Sequence, residues 1–332
     1  MDGGVGGHLM EVVVPLVRRR SEPSRVPYQG RIEPRRTRHG LGGPWLYLKL
    51  RTARRTQDDL VRGRLGELVE AAASAGAERW FFIRYTEGGE HWLRVRFGGP
   101  PDILWSAVAP AVGAVLAEWE RNGVVAGHLV DQYDPEVERY GGPAVQAAAE
   151  RLFQEDSTAT VRLLRMLRDA DAVSLDREEA AAVSLASLAH AFGPPAPGQS
   201  WVAEFADDPA AAWLSVTGTH REVPDRYRAD REAWRALLDP VGGWPGLRSR
   251  LGGESLLEAL AERDAAAAEY GTLLRDAAAR GEGATPQARV AGSLMHMTCN
   301  RLFGGDSDRE RDLLGIVRAA VHDNRKRRRY TR

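Results

Sequence analysis

An α+β fold is what this chain of 332 residues predicts, and three features carry that reading. From Trp45 to Tyr133 the apolar pattern switches between periods of 2 and 3.6, in the order strand–helix–strand–strand–helix–strand. Beyond Tyr133 the pattern is helical almost throughout. The chain is also 43% hydrophobic, enough to bury a sizeable core. The first feature is the order of a ferredoxin-like unit. The expectation is therefore a small antiparallel sheet of that kind with its helices, packed on a larger helical half.

Residues 1–43 are rich in Gly, Pro and clustered Arg and read as an N-terminal arm, with a strand-like piece at Met10–Val17. Residues 44–332 read as the functional domain. "WLYLKLR" is a strand, and "TQDDLVRGRLGELVEAAASAG" a helix with Leu60, Leu65, Leu68 and Val69 on one face and Gly76 as its stop. "RWFFIRYTEGGEHWLRVRF" is a hairpin turning at Gly88-Gly89. "ILWSAVAPAVGAVLAEWERNG" is a second helix and "VVAGHLVDQY" the last strand. Helices follow in "PAVQAAAERLFQEDSTATVRLLRML", Asp176–Phe192, Pro224–Leu238, Gly253–Arg280, Arg289–Arg301 and Asp308–Asn324, with loops at "FGPPAPGQSW" and "ARGEGATPQ".

The composition removes several classes. The single cysteine, Cys299, excludes an internal disulfide framework and a cysteine-only zinc site, and suits a reducing cytosol. No apolar run of about 18 residues is present, so no membrane span is expected. In "MDGGVGGHLMEVVVPLVRRR" the apolar stretch precedes the basic cluster, the reverse of a signal peptide, and a cytoplasmic location is expected. Lys49 and Lys326 are the only lysines among the 46 basic residues, which makes Lys49, in a strand, worth marking. The arginine-rich arm from Arg18 to Arg38 and the tail after Arg325 read as solvated ends or as docking segments for a partner.

Four stretches concentrate titratable groups. In the hairpin, Leu93, Val95 and Phe97 alternate with Trp92, Arg94 and Arg96, so the two guanidiniums share a face; Arg84 and His91 are read with them as one constellation. "QYDPEVERYGG" holds Glu136, Glu138 and Arg139, and "AERLFQEDS" holds Glu150. "SLMHMTCNRLFGG" puts Asn300 one helical turn after His296. Each has a plain alternative: a solvated or ion-paired strand face, a charged turn, a hydrogen-bonded core histidine between Met295 and Met297. No metal spacing, phosphate loop or nucleophile elbow is present, so no metal or cofactor is expected. The residues alone point to an anion site built from arginines with one histidine.

Together "YLKL", the hairpin, "YDPEVERYGGPAVQAAAERLFQEDS" and "SLMHMTCNRLFGG" resemble the C-terminal elimination domain of class I lanthipeptide dehydratases. The stand-alone form is labelled a thiopeptide-type bacteriocin biosynthesis protein. The resemblance runs from about Trp45 to the C-terminus and leaves the arm uncovered. It implies the glutamate-elimination subunit of a split, tRNA-dependent dehydratase. Such a lyase turns glutamylated Ser or Thr of a ribosomally made precursor peptide into dehydroalanine or dehydrobutyrine. The implied partners are the precursor peptide, with its leader, and a separate subunit that glutamylates it from glutamyl-tRNA. Direct nucleic-acid or membrane binding is not implied, and a homodimer is compatible with the family.

The chemistry suits the residue types. β-Elimination needs a base for a peptide Cα proton, stabilisation of the developing enolate, and cations for the leaving carboxylate. Arginine keeps its charge and suits the clamp; histidine exchanges a proton near neutral pH. The resemblance carries catalysis onto His296, Arg94, Arg96 and Arg139 and matches Lys49 to a strand lysine of the family; substrate binding is expected of Lys49, Arg84, His91, Glu138, Asn300 and Arg301. Asn300 is expected to hold the His296 ring. Two other readings stand beside elimination: the formal aza-[4+2] cycloaddition that builds the pyridine of thiopeptides on a similar scaffold, and a non-catalytic scaffold subunit of a peptide-modifying complex.

Overall fold

The structure is a computed structural model, which describes residues 38–194, 210–211, 213–214, 223–282 and 285–330. The arm over 1–37 with Met10–Val17, and most of the loop at 192–201, lie outside the described residues.

Four strands, β1 (Trp45–Thr52), β2 (Arg79–Glu87), β3 (Glu90–Gly98) and β4 (Gly127–Asp131), form one antiparallel sheet in the order β2-β3-β1-β4. That is the order expected of a ferredoxin-like unit. Positive φ at both Gly88 (60°) and Gly89 (83°) gives the two-residue hairpin the backbone that matches strand twist. Leu46, Leu48 and Leu50 of β1 and Leu93, Val95 and Phe97 of β3 are buried on one face. They share the core with helices α1 (Leu65–Ser74) and α2 (Ala109–Arg121).

Each of these helices is entered through a π-helical turn, Leu60–Arg64 before α1 and Leu104–Val108 before α2. The reason is visible in the spacing. In a regular α-helix Leu65 would sit about 140° round from Leu60; the wider i→i+5 turn lets Leu60, Val61 and Leu65 all bury. The stretch Pro101–Arg121 is long and apolar enough to cross a membrane by length and composition. Here its Leu104, Val108, Val112, Leu116 and Trp119 belong to the sheet's core.

The helical half contains α3 (Gln146–Met166), α4 (Arg177–Ala191), α5 (Gly253–Ala279), α6 (Gln287–Phe303) and α7 (Ser307–Tyr330), with short helices at Asp225–Ala229, Arg231–Leu237 and Pro245–Arg248. Asp176 opens α4 as a capping box with Glu179. A buried network joins the helices. Arg301 of α6 donates to Asp156 of α3 at 2.7 Å, Thr298 donates to the same carboxylate, and Arg263 of α5 lies 3.7 Å from it.

The helical half also supplies the missing neighbour of edge strand β2. An edge strand leaves alternate N–H and C=O groups unpaired. Here Trp80 N donates to Gln154 Oε1 (3.1 Å), Phe82 N to Ser157 Oγ (3.2 Å) and Arg84 N to Asn300 Oδ1 (2.9 Å). In return Asn300 Nδ2 donates to Arg84 O (2.8 Å) and Arg301 Nε to Phe82 O (2.9 Å). Side chains of α3 and α6 thus fix the second face of the sheet against the helices.

Candidate active site

That second face carries the site. The register aligns Tyr47 with Arg96 and Phe81, and Lys49 with Arg94 and Ile83, so the two arginines share their face with aromatic rings. Arg96 is 7% exposed and boxed by Tyr47 (4.2 Å from guanidinium carbon to ring centre), Phe81 (5.1 Å) and Tyr133 (5.2 Å). Its Nε and Nη1 have no acceptor, and no carboxylate stands within ion-pair distance among the described residues. Burial lowers its pKa, yet an arginine starts so high that it stays charged. Ring faces on three sides help to hold that charge.

The box is itself held in place. Tyr133 donates to Glu150 at 3.4 Å; burial first, then the Glu150 charge, pushes its phenol well above the usual range. Burial likewise raises Tyr47. Both are neutral rings at any ordinary pH, and Glu150 stands behind the box, outside the cleft's lining.

Arg94 stacks on Tyr85 at 3.4 Å, with Glu87 3.5 Å away. Lys49 pairs with Glu87 (3.4 Å) and Asp131 (3.6 Å) beside Trp92. Arg139 comes from the loop after β4, donating to Ser293 of α6 (3.2 Å) and pairing with Glu136 (3.3 Å). Glu136 has a positive φ of 48°, uncommon for a side chain other than glycine. The loop closes at Gly141, φ 97°, where an added Cβ would stand 2.3 Å from Leu274 of α5; only glycine fits that approach.

His296, on α6, is 44% exposed in its side chain, and its Nδ1 lies 2.9 Å from a carboxylate oxygen of Glu310 on α7. The carboxylate accepts the Nδ1 proton, which leaves Nε2 with a free lone pair. Arg94, Arg96, Arg139 and His296 all line one cleft of about 680 Å³, with Tyr47, Asp131 and Glu136. The arrangement can bind an anion between guanidiniums and move a proton beside it.

Several expected site residues stand elsewhere. Arg84 borders the cleft, but in the hairpin register it faces Leu93, and its guanidinium is turned away to bond Asp58 (2.6 Å) and Arg301 O (2.8 Å). His91 also lies outside the cleft, bonded to Thr86 at 3.0 Å. Glu138 is exposed, and Glu136 takes the place at the cleft given to it. Arg301 is 2% exposed and committed to Asp156 and Phe82. Asn300 borders the cleft, but its amide is spent on the Arg84 backbone, so Glu310 and not Asn300 holds His296. Tyr47, Tyr133, Glu136 and Glu310 are site residues that the sequence left unassigned.

The family profile described as lantibiotic biosynthesis dehydratase C-term matches residues 45–321. The subtilin biosynthesis protein SpaB of Bacillus subtilis is 28% identical over 334 aligned residues, covering 98% of this chain and 30% of that protein. The nisin biosynthesis protein NisB of Lactococcus lactis subsp. lactis is 30% identical over half of the chain and 16% of its own length. Among solved structures, the tRNA-dependent lantibiotic dehydratase MibB from Microbispora sp. 107891 is 49% identical, with a TM-score of 0.83 over 87% of this chain and 29% of that one. The chain thus spans less than a third of these proteins. The pyridine synthase TbtD from thiomuracin biosynthesis shares the fold alone, at 14% identity and a TM-score of 0.55 over 84% of this chain and 98% of that one.

Proposed function

The chain belongs to the family of lantibiotic biosynthesis dehydratase C-terminal domains, and from that premise we propose that its cleft eliminates glutamate from glutamylated serine or threonine in a precursor peptide. The products are dehydroalanine or dehydrobutyrine and free glutamate. The observation that carries this reading is Arg96, a buried guanidinium boxed by rings and lacking a carboxylate partner among the described residues. A buried charge without a partner is costly, and a carboxylate arriving with the substrate supplies one.

The residues divide the step among them. His296 Nε2 takes the Cα proton while Glu310 holds the ring and stabilises the imidazolium that forms. The electron pair of the Cα–H bond becomes the Cα=Cβ bond, and the Cβ–O bond of the ester breaks. The leaving carboxylate is received by Arg96 and Arg94, and Arg139 faces the negative charge that develops on the peptide carbonyl. Lys49, paired with Glu87 and Asp131, stands outside the cleft's lining and reaches it only through Asp131. The glutamyl group would be installed by a separate partner that uses glutamyl-tRNA.

Pyridine formation by cycloaddition is the weaker reading: the likeness to TbtD is one of fold, whereas MibB is 49% identical. The test is direct. The purified protein, given a synthetic peptide with a glutamyl ester on one serine, should release glutamate and leave dehydroalanine without added metal or nucleotide. An ester that survives at the rate seen in buffer would remove the proposal.

A further inference from the structure

The opposite side of the β2–β3 hairpin holds a second pocket of about 450 Å³. Five arginines line it: Arg54 and Arg55 after β1, Arg84 on β2, Arg177 at the start of α4 and Arg309 on α7. Asp58 is the one carboxylate in that lining among the described residues, and it is shared by Arg84 and Arg177. Two acids stand behind the wall. Asp306 lies 3.9 Å from Arg54 and 3.8 Å from Arg309, and Glu178 lies 3.6 Å from Arg309. Even with these the arginines outnumber the acids.

Two details separate this pocket from a solvated basic patch. Arg84 is 4% exposed, yet its Nη2 has no acceptor; the Nε of Arg177 is likewise buried and unpaired. Arg177 and Arg309 each stand 5.2 Å from the Phe303 ring, so both are positioned by an apolar wall rather than free to sweep through solvent. Arg55 is exposed with no ion pair among the described residues. Fixed guanidiniums with spare donors are built to take an oxyanion.

The pocket's position selects the kind of oxyanion. It meets the elimination cleft at Arg84, Tyr85, Thr86 and Gly305, which line both. The two pockets are thus contiguous around the end of the hairpin, within reach of one peptide. We propose that this pocket is a second anion subsite, which binds an acidic side chain of the precursor peptide while the neighbouring cleft holds the residue being processed. The identity of the occupant as a peptide rests on the elimination reading; the anion site itself does not.

The test uses the full chain and a short fluorescein-labelled Ser/Gly peptide with two adjacent glutamates, its Gln counterpart, and inorganic phosphate as competitor. Anisotropy at fixed ionic strength should show the acidic peptide bound about 10-fold or more tightly than the Gln peptide, with a similar loss in Arg54→Ala/Arg55→Ala, as expected for lost charge-assisted contacts. Both replaced side chains are exposed, so the fold is spared. The same variant should eliminate glutamate at the wild-type rate from a glutamylated peptide that has no other acid. Equal binding of the two peptides, or unchanged binding in the variant, overturns the subsite. Displacement by low-millimolar phosphate makes it a phosphate site and overturns the peptide assignment. A wild-type protein that binds the acidic peptide as described but eliminates nothing leaves the subsite standing and removes the elimination reading instead.

Discussion

His296 Nδ1 and the Glu310 carboxylate lie 2.9 Å apart, joining α6 to α7 across the turn at Gly304-Gly305. An Nδ1–H donated to this carboxylate leaves Nε2 as the acceptor nitrogen of a side chain that lines the cleft. His296→Ala should therefore lower single-turnover elimination by about 100-fold or more, the usual size of a lost acid–base group. Glu310→Gln should cost less, about 10-fold, because its amide can still orient the ring but cannot balance the imidazolium. Thermal melts close to wild type must accompany both losses. Near-normal elimination in His296→Ala would assign the proton transfer to another group.

Arg96 gives a prediction in which stability and activity move apart. Its charge is desolvated and unpaired, so Arg96→Met, of similar length and apolar, should leave unfolding free energy unchanged or raise it by up to about 3 kcal/mol. Elimination should fall to the level of buffer. Arg94→Ala and Arg139→Ala, on partly exposed side chains, should fold normally and let glutamylated peptide accumulate. If Arg96→Met unfolds the protein instead, the guanidinium is structural and the reading of it as a substrate clamp fails.

How much of this is legible in the sequence depends on the range of each contact. The ferredoxin-like order can be read because β3 alternates at 2 and the helices keep an apolar face near 3.6 beyond their π-helical entries, and Arg94 and Arg96 share a face because of that alternation. Arg84 is misread when strands are taken singly. The face shared by two strands is set by their register, and the two-residue turn pairs Glu87 with Glu90, hence Arg84 with Leu93. That signal is present in "TEGGEH" and is sufficient. Glu310 offers no such signal, since it meets His296 only after the chain reverses at Gly304-Gly305. Of the aromatic box, Phe81 follows from that same hairpin register, whereas Tyr133 gives no signal because it reaches Arg96 through tertiary packing. Asn300 looks like a partner for His296 at helical spacing, but the unpaired edge of β2 outcompetes it.

Asp58 makes part of the stability pH-dependent. Burial raises its pKa, but the hydrogen bond from Arg177 and the charges of Arg84 and Arg177 outweigh this and bring it to about 2, from an ordinary 3.8. The folded state therefore binds this proton less readily than the unfolded one. Its contribution, up to about 2 kcal/mol, is complete above pH 4 and is lost as pH falls through 2. Asp58→Asn should lower stability at pH 7 and flatten the acid limb of the curve between pH 4 and 2. A variant whose acid limb matches wild type would show that the Arg84–Asp58–Arg177 bridge contributes nothing to folding.

Asn300 separates a structural from a catalytic role most sharply. Its amide accepts from Arg84 N at 2.9 Å and donates to Arg84 O at 2.8 Å, standing in for a residue of a neighbouring strand. Asn300→Ala leaves both backbone groups buried without partners, at about 1–3 kcal/mol each before water relaxes the site. The variant should melt well below wild type. Asn300→Asp keeps an acceptor for Arg84 N but turns a carboxylate oxygen toward Arg84 O, so it should rescue little. Asn300→Gln carries the same donor and acceptor one methylene further out and should recover part of the loss. In all three, elimination by the folded fraction should stay within a few-fold of wild type, because Glu310 and not Asn300 orients His296. The measurement pairs denaturant unfolding with single-turnover rates well below each midpoint. Normal stability with elimination down by about 100-fold in Asn300→Ala would give the residue a direct part in the reaction and overturn the strand-edge assignment.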